Sequence, residues 1–206
     1  MEHYTALSPY LKRRFGCKVY KLSLSAGCTC PNRDGTLGAR GCIFCSGSGE
    51  FAASGSASIP EQLEQAKYIL GKKAQGAKFI AYFQDFTNTY GTVSRLEPLF
   101  LAAIAAGDVV ALSIATRPDC LPEDILRMLS RLRARKPVFV ELGLQTVHQA
   151  SARYIRRGYP LSVFDDAVQK LHALDIEVIA HQILGLPGET AVMMAETSRY
   201  LGSVHV

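Results

Sequence analysis

The chain has 206 residues, 48% hydrophobic and 20% charged, with a formal net charge of +5. These values exclude a disordered polymer and suit one globular domain over residues 1–206, which would bury about 70% of its unfolded surface. The mildly basic balance leaves room for a phosphate-bearing partner.

The most apolar stretch, residues 99–115, is broken by Gly107 and Asp108. It falls short of the ~20 apolar residues that span a bilayer, so no membrane is expected. Met1-Glu2-His3-Tyr4 opens without an apolar signal core. Six cysteines beside that start imply a reducing, cytoplasmic setting, where thiols are free, catalytic or metal-bound.

In chain order, β-rich runs alternate with amphipathic segments. The first expected strand covers 18–25. Ser58-Ile59-Pro60-Glu61 reads as a capping box, opening a helix with Leu63, Ala66 and Leu70 on one face and Gly76 at its end. A strand at 78–85 follows, and Ser94 with Glu97 repeats the cap signature before a helix over 99–106. The strand at 109–116 leads to Pro122, placed in the first turn of a helix over 123–133. Then come a strand at 137–144, a helix over 164–174 opened by Ser162 and Asp165, a strand at 177–184 and a helix over 189–201. Five β-then-α units predict an α/β fold with a parallel sheet, either doubly wound or a partial (β/α) barrel. In both, loops after the carboxyl ends of the strands build the site. Gly202-Ser203-Val204-His205-Val206 reads as the start of another strand, so the expectation is a barrel truncated after about five βα units.

The loop after the first strand carries Cys30, Cys42 and Cys45, with Cys28 two positions before Cys30. Cys42 and Cys45 are separated by two residues, and Gly35, Gly38 and Gly41 let the loop bring Cys30 back to them. Spacing alone leaves two arrangements open. All four thiols could close tetrahedrally around structural zinc, or Cys30, Cys42 and Cys45 could hold a 4Fe-4S cluster with one iron lacking a protein ligand. Cys17 and Cys120 lack partner spacing and read as small apolar residues.

Other rim segments offer polar groups. Gln84, Thr87 and Asn88 follow the second strand and suit an amino-acid-like group or a turn cap. In the fourth strand, alternation puts Glu141 and Gln145 on one face, for a polar ligand or a buried ion pair. The fifth carries His181 and runs into Gly185-Leu186-Pro187-Gly188-Glu189-Thr190, whose glycines permit close backbone approach to a planar ligand. Three basic clusters, Lys12-Arg13-Arg14, Arg131/Arg133/Arg135-Lys136 and Arg153/Arg156-Arg157, could meet RNA or nucleotide phosphates or be solvated helix faces.

Cys30-Pro31-Asn32-Arg33-Asp34-Gly35, Gly41-Cys42-Ile43-Phe44-Cys45, Tyr82-Phe83-Gln84, Gly143-Leu144-Gln145 and Gly185-Leu186-Pro187-Gly188-Glu189-Thr190 together resemble the radical S-adenosylmethionine superfamily. The likeness is to its uncharacterised YhcC-like branch, related to the Elongator-type and coproporphyrinogen-oxidase-type groups. It implies a 4Fe-4S cluster on Cys30, Cys42 and Cys45 and S-adenosyl-L-methionine as the second cofactor. Phe44 would lie against the adenine, Gln84 near the methionine amino group, and Gln145, Arg157 and His181 along the carboxylate and ribose. Gly185, Leu186 and Pro187 would border the adenine. Cys28 stands where the branch usually has an aromatic residue, and Asp85 where a small residue is more usual. The implied reaction is reductive cleavage of the cofactor to a 5′-deoxyadenosyl radical, fed by a low-potential electron donor and acting on an unknown substrate, with RNA or a nucleotide as candidates. The alternatives are a zinc-stabilised RNA-binding module without catalysis and an inactive truncated enzyme.

Overall fold

The computed structural model describes residues 4–45 and 56–206; Met1, Glu2 and His3 lie outside the described residues. Five strands form one wholly parallel sheet: β1 (Val19–Leu24), β2 (Lys78–Phe83), β3 (Val109–Thr116), β4 (Val138–Gln145) and β5 (Glu177–Gln182). Their spatial order is β1-β2-β3-β4-β5. Because the order never reverses, crossovers of one hand keep the helices on a single face. The fold is therefore a partial (β/α) barrel and not a doubly wound sheet.

The outer face is covered by α2 (Ile59–Leu70), α3 (Val93–Ala105), α4 (Glu123–Arg133) and α6 (Leu161–Ala173). Alternation supplies its core. Leu22, Leu24, Phe83, Leu112, Ile114, Val140 and Leu142 are buried together with Leu63, Phe100, Leu129 and Phe164 of those helices. The opposite parity lines the concave face. There Val19, Ile80, Ala111 and Phe139 form a smaller apolar cluster with Leu11 of α1 (Leu7–Phe15). Nearer the carboxyl ends the same face turns polar, through Lys21, Ser113, Glu141 and His181.

Several expected boundaries shift. Glu61 does accept from the backbone N–H and hydroxyl of Ser58, at 2.8 and 2.7 Å. Ser94 does not cap a helix starting near residue 99. The helix already runs from Val93, Ser94 bonds Thr92, and Glu97 accepts two bonds from Arg131 at 2.8 Å. Asp165 likewise lies inside α6 and accepts from Tyr200. The expected strand at the chain's end is absent among the described residues: Gly202 and Ser203 finish α7 (Ala191–Ser203), and Val204 and His205 form a turn. The start of α7 is set by Thr190, whose side chain accepts from the Met193 N–H. Two helices were not anticipated, α1 and the six-residue α5 (Gln149–Tyr154).

Phe100 is fully buried and meets Phe83 edge-to-face at 4.8 Å. Phe100→Ala is expected to cost about 3–5 kcal/mol through lost burial and the cavity left behind. Urea denaturation checks this by a fall in midpoint at unchanged slope.

Candidate functional site

At the carboxyl rim of the sheet a cleft of about 290 Å³ opens inside the barrel. Cys30, Cys42 and Cys45 form one of its walls. A larger groove of about 550 Å³ lies at the opposite end, against α1 and the β5 edge, but no thiol reaches it. The chemistry-bearing residues thus gather at the rim.

Hydrogen bonds fix the thiol loop. Arg33 and Asp34 donate their N–H groups to Cys30 O at 2.8 and 3.1 Å, and the Gly41 N–H donates to Asn32 O at 2.8 Å. Gly41 adopts φ +67, and a Cβ there would lie 2.9 Å from Arg33 Nε. Arg33 in turn donates to Cys45 O at 2.8 Å. The Asn32 amide donates to Cys42 Sγ at 3.3 Å and to Arg156 O at 2.8 Å, joining the loop to the turn after α5. Burial pushes the Cys42 thiol up, Asn32 and Arg117 pull it down, and the nearby Cys30 and Cys45 push it up again.

Cys28 stands apart from these three. It is buried in the outer core, where Arg95 donates to its Sγ at 3.5 Å, and it does not line the cleft. Among the described residues no three His, Cys, Asp or Glu side chains are close enough to hold a single metal ion. Three half-buried thiols on one wall fit a cluster of several irons, which spreads its ligands more widely than one ion does.

Two buried arginines line the same cleft. Arg117 forks onto Asp119, with Nε and Nη2 donating at 2.9 and 2.7 Å, and lies 5.1 Å from the Tyr159 ring centre. Arg157 is only 2% exposed and has no carboxylate partner. It donates to the carbonyls of Leu144, Thr146 and Tyr159, its Nη2 has no partner, and burial lowers its pKa. An unpaired, desolvated guanidinium is costly unless an anion joins it. Thr87 adds a buried Oγ1 with no partner on the same cleft.

The cleft floor is a charged network. Glu141, 2% exposed, accepts from Lys21 Nζ at 2.5 Å, from His181 Nε2 at 2.8 Å and from Ser113. Burial alone would raise its pKa; bonds from His181 and Lys21 outweigh it and bring the value from 4.5 down to about 2. The Tyr82 phenol beside it is pushed up, first by burial and then by the carboxylate.

The cleft brings together Cys30, Cys42, Cys45, Phe44, Gln84, Gln145, Arg157 and His181. Glu141 and Gln145 share it as alternation predicts, although Gln145 follows a register shift and has φ +68. Gly185, Leu186 and Pro187 are not in its lining; Leu186 is buried and the Gly185 N–H meets Met194 Sδ at 3.2 Å. Arg117, Tyr159 and Tyr82 line the cleft without having been anticipated. Tyr82 was within reach, since it sits two residues before Gln84 on the same face.

The signature of the radical SAM superfamily matches residues 32–201. YtqA of Bacillus subtilis is 43% identical over all of this chain and 64% of its own length. YhcC of Escherichia coli is 38% identical over 87% of this chain and 58% of its own. The chain thus spans about three fifths of the length of these relatives. A tRNA uridine(34) acetyltransferase of Methanocaldococcus jannaschii is 33% identical over 115 residues, 56% of this chain and 21% of its own. Among solved structures, Elp3 of Methanocaldococcus infernus superposes with TM-score 0.62 over 89% of this chain and 42% of its own, at 18% identity. The chain belongs to the radical SAM superfamily.

Because Glu141 is held ionised below the ordinary range, its pairing stabilises the fold above about pH 4.5 and fades as pH falls towards about 2. Glu141→Gln should therefore cost about 3 kcal/mol near neutral pH. The gap to wild type should close on acidification, as thermal unfolding at stepped pH would show.

Proposed function

We propose that this radical SAM protein binds a 4Fe-4S cluster through Cys30, Cys42 and Cys45 and S-adenosyl-L-methionine in the adjoining cleft. The observation that carries the reading is the shared cleft: three thiols on one wall, and on the same cavity a buried guanidinium with an unused donor. Bound together, the two cofactors would supply one-electron reductive cleavage of a sulfonium–carbon bond.

The chain's own residues position and exclude. Arg157 offers its free Nη2 to the methionine carboxylate, which relieves its unpaired burial. Gln84, whose carbonyl oxygen accepts from the Ser23 hydroxyl at 3.1 Å, keeps a second lone pair on that oxygen for the amine; with the Thr87 hydroxyl it serves the amino-acid end. Phe44, 45% exposed at the mouth, provides a flat apolar face for the adenine. His181 binds Glu141 through Nε2, which leaves Nδ1 for the ribose side. Gly185, Leu186 and Pro187, outside the cleft lining, would border the adenine only from beyond its present edge. Fixing both ends of the cofactor beside the thiol wall removes an entropic part of the barrier.

As substrate we infer RNA or a nucleotide. The support is the net charge of +5 and the partial likeness to the tRNA uridine(34) acetyltransferase. Among the described residues no helix is long and apolar enough to cross a membrane.

Anaerobic reconstitution of the wild type should give about four irons per chain and 5′-deoxyadenosine on addition of reductant and cofactor. Cys45→Ala should lose the iron, whereas Cys28→Ala should keep it. Loss in both variants, with zinc in the wild type, would favour the four-thiol site.

A further inference from the structure

The three basic clusters of the sequence have different fates. Arg14 pairs with Glu177, Arg131 with Glu97 and Arg133 with Asp175, and Lys136 donates to two backbone carbonyls, while Lys12 and Arg13 are exposed on α1, at the end of the sheet away from the thiols. Around the turn after α5 the charges stay free. Arg153 and Arg156 are exposed, and Arg40 of the thiol loop joins them around one shallow depression of about 370 Å³. Among the described residues no acidic side chain lines it, and no side-chain partner is found for any of the three. Leu37 in the depression is 55% exposed, adding apolar surface to the charge.

This surface lies directly behind the thiol wall. Asn32 lines the depression but not the cleft, and Cys42 lines the cleft but not the depression. The two residues touch through the 3.3 Å bond from the Asn32 amide to Cys42 Sγ, and Cys42 Sγ also lies 3.4 Å from Arg156 O. The junction is rigid. Ile43 N–H donates to Ile155 O at 3.3 Å, and at Gly158 (φ +83) a Cβ would come within 2.9 Å of Asn32 Oδ1. A partner seated here is one side chain away from a proposed cluster ligand, yet it cannot present a carbon atom inside the cleft. Electrons can cross that wall; a substrate cannot.

We propose that Arg40, Arg153 and Arg156, with Leu37, form the docking face for an acidic, low-potential electron-carrier protein that delivers single electrons past Asn32 and Cys42. The inference rests on the cluster assignment above. At each encounter the carrier loses one electron and the cluster gains it, with no bond made or broken. Complementary charge of this kind raises encounter rates by roughly 10–1000-fold and makes them fall with salt.

The test uses an acidic flavodoxin as carrier and dithionite as small reductant, with wild type and the R40E/R153E/R156E protein, both reconstituted. The reversed protein should hold as much iron and be reduced by dithionite at the wild-type rate. Its reduction by the flavodoxin hydroquinone should fall by about tenfold or more and lose its salt dependence. Binding of the same flavodoxin to cluster-free protein, followed calorimetrically, should weaken in parallel, and the triple lysine variant should restore it. Should the triple reversal lower the iron content, R40E and R153E carry the test singly, since neither residue touches Cys42. Carrier binding and carrier-driven reduction unchanged by charge reversal would overturn the proposal, as would loss of binding to a single-stranded RNA with the carrier unaffected. A wild type that takes up no iron would instead defeat the cluster assignment, and the calorimetric arm would still decide the docking face.

Discussion

Glu141 is the point on which all five strands converge. Its carboxylate takes Lys21 from β1, Ser113 from β3 and His181 from β5, with the Tyr82 phenol of β2 beside it. A sheet whose crossover helices all lie on one face leaves its other face to be filled by other means. At the amino-terminal end α1 meets that need with apolar contacts, Leu11 against Ile80 and Phe139. One layer higher the filling is ionic. A buried carboxylate that lost its partners would be strongly destabilising, so the network fixes strand positions as well as occupying space. It also forms the boundary between an apolar floor and a polar cleft.

That boundary gives the cleft its charge. Glu141 is neutralised from below by Lys21, and Arg117 is neutralised by Asp119. Arg157 is left over, buried and unpaired. The site therefore presents one uncompensated positive group beside three thiols, as the proposed zwitterionic cofactor would require for its carboxylate. Such asymmetry costs folding stability, and an unpaired buried cation is tolerated where a ligand completes it.

Much of this was readable from alternation. The strands fall within two residues of their expected bounds, and Glu141, Gln145 and His181 share the cleft as their parity implies. Leu22, Leu24, Ala26 and Cys28 continue one parity from β1 into the outer core, yet Cys30, of the same parity, lines the cleft, so alternation alone does not separate the two thiols once the strand has ended. What stayed hidden depends on long-range contact. Asn32 reaches Arg156 across 124 positions, and Arg117 reaches Arg157 across 40. No local pattern encodes those meetings. Helix α1 was missed because its N-cap, Ala6, offers no capping side chain, and α5 because six residues show no period.

The turn after α5 links these observations. Arg157 faces inward to the cleft while Arg156, one residue earlier, points its side chain to solvent and its carbonyl to Asn32. Arg156 is held at φ +59, an unfavourable conformation for a residue with a Cβ, and Gly158 at φ +83 follows. Two left-handed residues within three positions let consecutive arginines serve opposite sides of one wall. Backbone strain of about 1 kcal/mol or more at such a residue persists only where surrounding bonds over-determine it. Here the Asn32 amide supplies that constraint, and the same amide positions Cys42. The conformation that buries a cation for the cleft is thus the one that turns a second cation outward behind the thiols.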